Sequence, residues 1–146
     1  MAFRFSLAAV LKYREALELR EFVALEKVQQ EIARLEAQIH EAEQDRCAKE
    51  QRRGQELTRG MRSRHLQEAL DQELAIERYR DVLTKKQEEL ALKRQELLKA
   101  YEESRRKREL LEKLRDRKLG EYTHEQAKAE QATIDDLFLS RRNRTQ

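Results

Sequence analysis

Apolar residues recur at alternating intervals of three and four residues between positions 25 and 42. The row comprises Leu25, Val28, Ile32, Leu35, Ile39 and Ala42. This alternation is the a/d pattern of a coiled coil, in which one apolar stripe follows one side of a helix. The chain has no Pro and only three Gly, the residues that most strongly interrupt helices. The pattern therefore predicts a long helix that buries its stripe against another helix.

A second periodic segment begins near Leu66. Its apolar row has a period of seven: Ile76, Leu83, Leu90, Leu97 and Leu111, with Ser104 in the remaining slot. The row four positions further on is more polar: Arg80, Gln87, Arg94, Tyr101 and Arg108. One apolar row and one mixed row predict a narrow coiled-coil seam. Disorder is the competing interpretation of a chain that is 42% charged, but such regular spacing argues against it.

Gly54 and Gly60 lie between the two segments, in a stretch without an apolar period. We predict that the chain reverses at about 54–64; the alternative is one continuous helix with a weakened middle. The two segments are expected to be similar in length, so folding back would bury both seams. The predicted fold is all-α, an antiparallel two-helix coiled coil forming a single domain over 1–146. The expected helices span about 6–53 and 65–134, and residues 135–146 are either ordered or a disordered tail.

Nothing in the chain indicates a catalytic site. Its histidines, His40, His65 and His124, are scattered without a motif, and no GxxxxGK[ST] phosphate loop occurs. His40 and Cys47 could share a helical face, but two ligands do not make a structural zinc site. We expect a protein that is not an enzyme and has no catalytic, metal or cofactor site.

The composition also bears on the compartment. A single cysteine excludes an intramolecular disulfide and fits a reducing cytoplasm. The first residues lack a secretory signal pattern. No stretch approaches the ~20 apolar residues of a membrane span. We expect a cytoplasmic protein with at most peripheral membrane contact.

The most basic stretch is SRRKRELLEKLRDRK at 104–118, with eight Lys or Arg against Glu109, Glu112 and Asp116, a net charge of +5. It could bind nucleic acid, form a solvated helix face, or dock another protein. Acids interleaved with the bases disfavour specific recognition of a DNA groove. Glu102, Glu103 and Glu109 each precede a base by four residues, so part of the charge is expected to be paired on the helix. A basic coiled-coil protein that is nucleic-acid-binding or architectural is the alternative from another functional class, and a generic homo-oligomeric coiled coil is a third.

Both ends of the chain resemble those of the flagellar type III export protein family FliJ. The resemblance is carried by FRFSLAAVLKYRE at the amino end and by RRKRELLEKLRDRK, Tyr122 and EQATIDDLFLSRR at the carboxyl end. It implies an antiparallel two-helix coiled coil resembling the central stalk of rotary ATPases. It further implies docking in the hexameric export ATPase FliI and stimulation of that ring. Contacts with the export gate protein FlhA and with export chaperones are also implied, at the inner-membrane export apparatus. The equivalent stalk of a virulence-type secretion system is the nearest alternative.

The resemblance also suggests which residues meet the partners. Because a hairpin brings both ends together, the matching end residues are expected to face the ATPase, although some of the leucines must belong to the seam. They are Phe3, Phe5, Leu7, Leu11, Arg14, Arg105, Arg106, Lys107, Glu109, Leu111, Leu114, Arg117 and Tyr122. Ile76, Tyr79 and Leu83 are the candidates for binding the export gate.

Overall fold

Two long helices pack against each other in the computed structural model, which describes residues 2–60 and 62–144. Helix α1 runs over Ala8–Arg59 and helix α2 over Ser63–Arg144. The structure is 94% helical, and the described residues contain no strand. The prediction of an all-α helical hairpin is confirmed.

The reversal between the helices is shorter than 54–64. Helix α1 continues through Gly54 and ends at Arg59. One interior glycine costs only about 1 kcal/mol relative to alanine, which the surrounding helix-forming residues can offset. Gly60 ends the helix instead: its φ is 90°, in the left-handed region that glycine adopts without a steric penalty. Met61, which the predicted reversal also includes, lies outside the described residues.

The expectation of two segments of similar length is wrong. Helix α1 has 52 residues and helix α2 has 82, a difference of 30. Helix α2 does not end near residue 134 but continues as a helix to Arg144, so residues 135–144 are not a structureless tail. Residues 145 and 146 of the predicted tail lie outside the described residues.

The chain groups into two compact units. The terminal unit comprises Met1–Arg20 and Glu102–Gln146, and the central unit comprises Glu21–Tyr101. Each unit contains a stretch of both helices, so each has its own portion of the seam.

The central unit buries the apolar rows that the spacing predicts. Leu25, Val28 and Leu35 of α1 are 4–6% exposed, and Leu83 of α2 is 3% exposed. The other members of these rows in the unit are half-buried: Ile32, Ile39, Ala42, Ile76, Leu90 and Leu97. Burial of apolar area at about 25 cal/mol per Å² is the main force that holds the helices of this unit together.

Polar pairs flank this seam. Arg80 in the mixed row binds Glu43 at 3.0 Å, and Arg53 pairs with Glu73. Phe22 packs against Tyr101 with 5.8 Å between ring centroids in a tilted arrangement, a favourable aromatic geometry. The mixed row thus contributes an ion pair, through Arg80, and an aromatic contact, through Tyr101, where it lacks leucines.

The terminal unit has a smaller buried core. Leu11 of α1 is 4% exposed, and Ser104 of α2 is 6% exposed in the slot where the seven-residue row has no leucine. Leu7, Leu17, Leu111 and Leu114 are half-buried. The row therefore keeps its phase through Ser104, and the small serine occupies a true seam position.

Candidate docking surfaces for partner proteins

In the terminal unit the amino end of the chain meets α2 at Tyr122, ahead of the last stretch of that helix. The rings of Phe3 and Tyr122 lie 5.6 Å apart at an interplanar angle of 48°, a tilted arrangement that aromatic pairs favour. Phe3, Phe5 and Tyr122 are all half-buried, so each keeps part of its ring accessible. The structure therefore brings together the amino- and carboxyl-terminal residues that the sequence singles out.

The predicted leucine contacts divide between core and surface. Leu11 is buried, so it belongs to the seam and does not face a partner. Leu7, Leu111 and Leu114 are half-buried and sit at the edge of the seam. The expectation that some of these leucines are seam residues is confirmed for Leu11.

The basic residues of the terminal unit are partly neutralised by carboxylates on their own helix. Arg105 binds Glu109 at 2.9 Å, and Lys107 binds Glu103 at 3.1 Å. Arg117 binds Glu121 at 3.3 Å with both side chains largely exposed. Of the expected pairs, Glu103 with Lys107 forms, whereas Glu109 turns back to Arg105 rather than forward to Lys113.

A cationic surplus is left on α2 after this pairing. Arg106, Lys113 and Lys118 are exposed and form no ion pair with any described residue. Arg14 of α1 is half-buried, with its guanidinium carbon 5.9 Å from the centre of the Tyr13 ring. The surface of this unit can therefore attract an acidic partner.

Arg108 has a different role from the other bases of the stretch. Its Nε donates to the Glu18 carboxylate of α1, and its Nη1 lies 2.7 Å from Glu112. The Arg108 and Glu18 side chains are only 21% and 15% exposed. The hydrogen bond to Glu18, followed by the one to Glu112, raises the pKa of Arg108 above its ordinary value. This residue joins the two helices and is not available to a partner.

We predict a measurable coupling between Arg108 and Glu18. In a double-mutant cycle with alanine at both positions, the coupling free energy of unfolding should be about 1–3 kcal/mol because the charged hydrogen bond is shielded from water. Urea unfolding of the four proteins would measure it. The matched control is Arg117 with Glu121, which are 78% and 61% exposed and should couple by less than ~0.5 kcal/mol. Equal coupling in both cycles would contradict a joining role for Arg108.

A further exposed surface, which contains none of the predicted site residues, follows Tyr122. Residues 123–144, the C-terminal arm, are helical, and every one of them is exposed. Ile134, Leu137 and Phe138 are 58%, 57% and 68% exposed. Their spacing of i, i+3 and i+4 places them on one helical face, which we call the arm ridge. Large apolar side chains grouped on a surface are typical of a binding site.

The signal for the arm ridge is present in the sequence. The segment EQATIDDLFLSRR contains the apolar triplet, but the expected helix end near residue 134 separates Ile134 from Leu137 and Phe138. The sequence does not show whether α1 covers this triplet. The structure shows that the three side chains are exposed.

The residues proposed for the export gate lie in the central unit. Tyr79 is 50% exposed and Ile76 is half-buried, whereas Leu83 is 3% exposed and belongs to the core. Tyr79 and Ile76 line a groove of about 320 Å³ together with residues of α1. These are Gln38, Glu41, Ala42, Asp45 and Lys49. Tyr79 and Ile76 can meet a partner there, whereas Leu83 is too buried to do so.

Metal-binding clusters and membrane spans are both absent from the part of the chain that the structure describes. Among the described residues, no three His, Cys, Asp or Glu side chains are grouped closely enough to hold a metal ion. Over the same residues, neither helix has a segment long and apolar enough to cross a membrane.

Comparison with protein-family models, with curated proteins and with solved structures gave no match.

Proposed function

We propose that the chain is a coiled-coil stalk and escort component of the flagellar type III protein export apparatus. It docks in the hexameric export ATPase FliI, stimulates that ring and links it to the export gate FlhA and to export chaperones. The stalk itself is not an enzyme and acts as a cytoplasmic partner at the inner-membrane export apparatus.

The observation that carries this proposal is the composition of the terminal unit. This unit joins the amino end of the chain to α2 at the Phe3 and Tyr122 pair, leaves cations on α2 without an ion pair to any described residue, and continues into the exposed arm ridge. These are the ends on which the resemblance to the FliJ family rests. A partner with an apolar pocket surrounded by acidic residues would complement the arm ridge and the cations of α2.

Regulation of an ATPase ring by such a unit has a simple physical basis. Two helices cannot present the same side chains to six surrounding subunits. Each subunit therefore meets a different set of contacts, and its conformations shift by the difference in binding free energy. The stalk stimulates hydrolysis by this bias and supplies no group to the reaction.

The contact with the export gate is assigned to the central unit. Tyr79 offers a half-exposed aromatic ring beside the 320 Å³ groove, and Ile76 adds apolar surface to it. Exposed tyrosines are frequent anchors in protein interfaces because the ring buries a large area while its hydroxyl stays hydrogen-bonded.

The equivalent stalk of a virulence-type secretion system has the same physical requirements and is the nearest alternative. Specific nucleic-acid binding is less well supported, because Glu103, Glu109 and Glu121 form ion pairs with lysine and arginine side chains of the most cationic helix stretch. Carboxylates at those places would repel a phosphate backbone.

Co-purification tests the proposed function. The full chain should elute from size-exclusion chromatography together with the flagellar export ATPase in the presence of a non-hydrolysable nucleotide. The matched assay uses the ATPase of a virulence-type system. Tighter binding to that ring would indicate that the chain is the stalk of a virulence-type secretion system instead. Elution apart from both rings, combined with duplex DNA binding that survives about 0.2 M salt, would replace it with the nucleic-acid function.

A further inference from the structure

The end of the hairpin at which the chain reverses is strongly basic. Residues 46–65, the hairpin tip, contain seven Lys or Arg against Glu50 and Glu56, which gives a net charge of 7 − 2 = +5. All of these residues belong to the central unit. Of these residues, only Lys49 also lines the groove proposed for the export gate.

Basic residues of the tip line two cavities, which acidic residues also line. One, of about 200 Å³, is lined by Arg46, Lys49, Arg52 and Arg53, together with acids that include Glu73. The other, of about 570 Å³, is lined by Arg59, Arg62 and His65, with Glu56 and Glu68 beside them. The turn at Gly60 brings the end of α1 and the start of α2 to the same place, so bases from both helices combine.

Carboxylates of the central unit neutralise only part of the tip. Arg53 pairs with Glu73, and Arg64 lies 3.8 Å from Glu68 with its side chain 90% exposed. No ion pair to a described residue is made by a further set of tip bases. These are Lys49, Arg52, Arg59 and Arg62.

One guanidinium nitrogen of the tip also lacks a partner. The Nε of Arg46 is buried and has no hydrogen-bond acceptor among the described residues. A buried donor without an acceptor is costly. The tip therefore presents positive charge that its own carboxylates leave uncompensated.

An exposed leucine of the tip indicates which kind of polyanion the tip binds. Leu57 is 49% exposed in the last turn of α1, between Arg53 and Arg59. An exposed apolar side chain flanked in the sequence by basic residues suits the interface of an anionic bilayer, where the leucine enters the acyl boundary and the basic side chains meet phosphate groups. The tip has no Phe, Tyr or Trp on which a nucleic-acid base could stack. These features favour a lipid surface over nucleic acid.

We infer that the hairpin tip binds the surface of an anionic membrane, with Leu57 entering between headgroups and Arg52, Arg59 and Arg62 contacting lipid phosphates. The inference does not depend on the proposed function, because the proposed ATPase contact lies in the terminal unit and the proposed gate contact rests on Tyr79 and Ile76, which lie outside the tip.

Flotation of the full chain with vesicles tests this inference. The chain should float with vesicles of phosphatidylglycerol and phosphatidylcholine but not with pure phosphatidylcholine. The triple variant Arg52→Gln/Arg59→Gln/Arg62→Gln should bind the anionic vesicles about 100-fold more weakly, since each base near an anionic surface contributes about fivefold. Leu57→Gln should weaken binding about tenfold because its side chain no longer enters the acyl boundary.

A matched variant separates the tip from charge in general. Arg34→Gln/Arg78→Gln/Arg94→Gln removes three exposed arginines of the same unit and leaves the same net charge as the tip variant. It should retain most of the vesicle binding. Equal loss in both triple variants, or no binding by the unaltered chain, would overturn the inference. Binding of duplex DNA that exceeds vesicle binding and is insensitive to Leu57→Gln would also overturn it.

The same variants separate this inference from the proposed function. The tip variant should stimulate the export ATPase as well as the unaltered chain does. Lost vesicle binding with normal stimulation is therefore the expected combination. A chain that floats with vesicles but ignores the ATPase would leave the membrane site intact and contradict only the proposed function.

Discussion

Leu83→Ala should lower the free energy of unfolding by about 2–4 kcal/mol, because the side chain is 3% exposed in the core of the central unit. Leu92→Ala is the matched control. It makes the same substitution in the same helix, but Leu92 is 64% exposed, so the change should stay below ~0.5 kcal/mol. The difference arises because only the leucine at position 83 buries its apolar area and makes van der Waals contact across the seam.

Urea unfolding, followed by the circular dichroism of the helices at 222 nm, measures both changes in the free energy of unfolding. It also gives the slope with which the free energy of unfolding falls as the urea concentration rises. The slope should be unchanged for both variants, since neither alters the area exposed on unfolding. If Leu83→Ala and Leu92→Ala cost the same, the two helices do not pack through the seven-residue row. That result would contradict the hairpin seam itself.

Removing the arm ridge should abolish most of the binding to the export ATPase without affecting stability. The variant Ile134→Ala/Leu137→Ala/Phe138→Ala removes three side chains that are 57–68% exposed. Interface anchors commonly contribute 1–2 kcal/mol each, so the loss of affinity should reach about 100-fold or more. The melting temperature should change little, because these side chains are exposed and bury little area in the folded chain.

The matched control is Leu70→Ala/Leu74→Ala/Leu92→Ala, which removes three exposed leucines of the central unit. Isothermal titration of each variant into the ATPase ring gives the affinities. Full binding by the arm variant would remove the ridge from the docking surface and leave the Phe3 and Tyr122 end as the remaining candidate. Equal weakening by both variants would indicate a general loss of apolar surface.

Periodicity predicted the seam because the spacing of apolar residues directly encodes which helix face is buried. The row from Leu25 to Ala42 and the row from Ile76 to Leu111 both lie where this reasoning places them. Even Ser104, an outlier by residue type, keeps the phase of its row and is buried. The fold class was therefore predictable from the sequence.

Other features depend on quantities that spacing does not encode. Gly54 has the residue type of a helix end, but the cost of one glycine is small beside that of breaking a long helix. The choice of Arg105 rather than Lys113 as the partner of Glu109 depends on side-chain rotamers. The arm ridge depends on the 30-residue difference between the two helices, which only the register of the hairpin reveals.

The candidate contacts were predictable only in part, from the position of the turn and from the spacing of the seam residues. The meeting of Phe3 with Tyr122 follows from any hairpin that turns near residue 60. Burial of Leu11 and Leu83 could have been expected as well, because both have the spacing of seam residues. Their removal from the docking surfaces leaves the half-buried aromatic residues, the cations and the arm ridge as the groups that can meet a partner.

The decisive measurement is the rate of ATP hydrolysis by the hexameric export ATPase while the full chain is titrated in. If the chain is the stalk of this ring, the rate should rise several-fold and saturate. The arm-ridge variant should fail to raise the rate, whereas the Leu70→Ala/Leu74→Ala/Leu92→Ala control should succeed. An unchanged rate at saturating chain, with the ring assembled and active by itself, would show that the chain does not stimulate the ATPase.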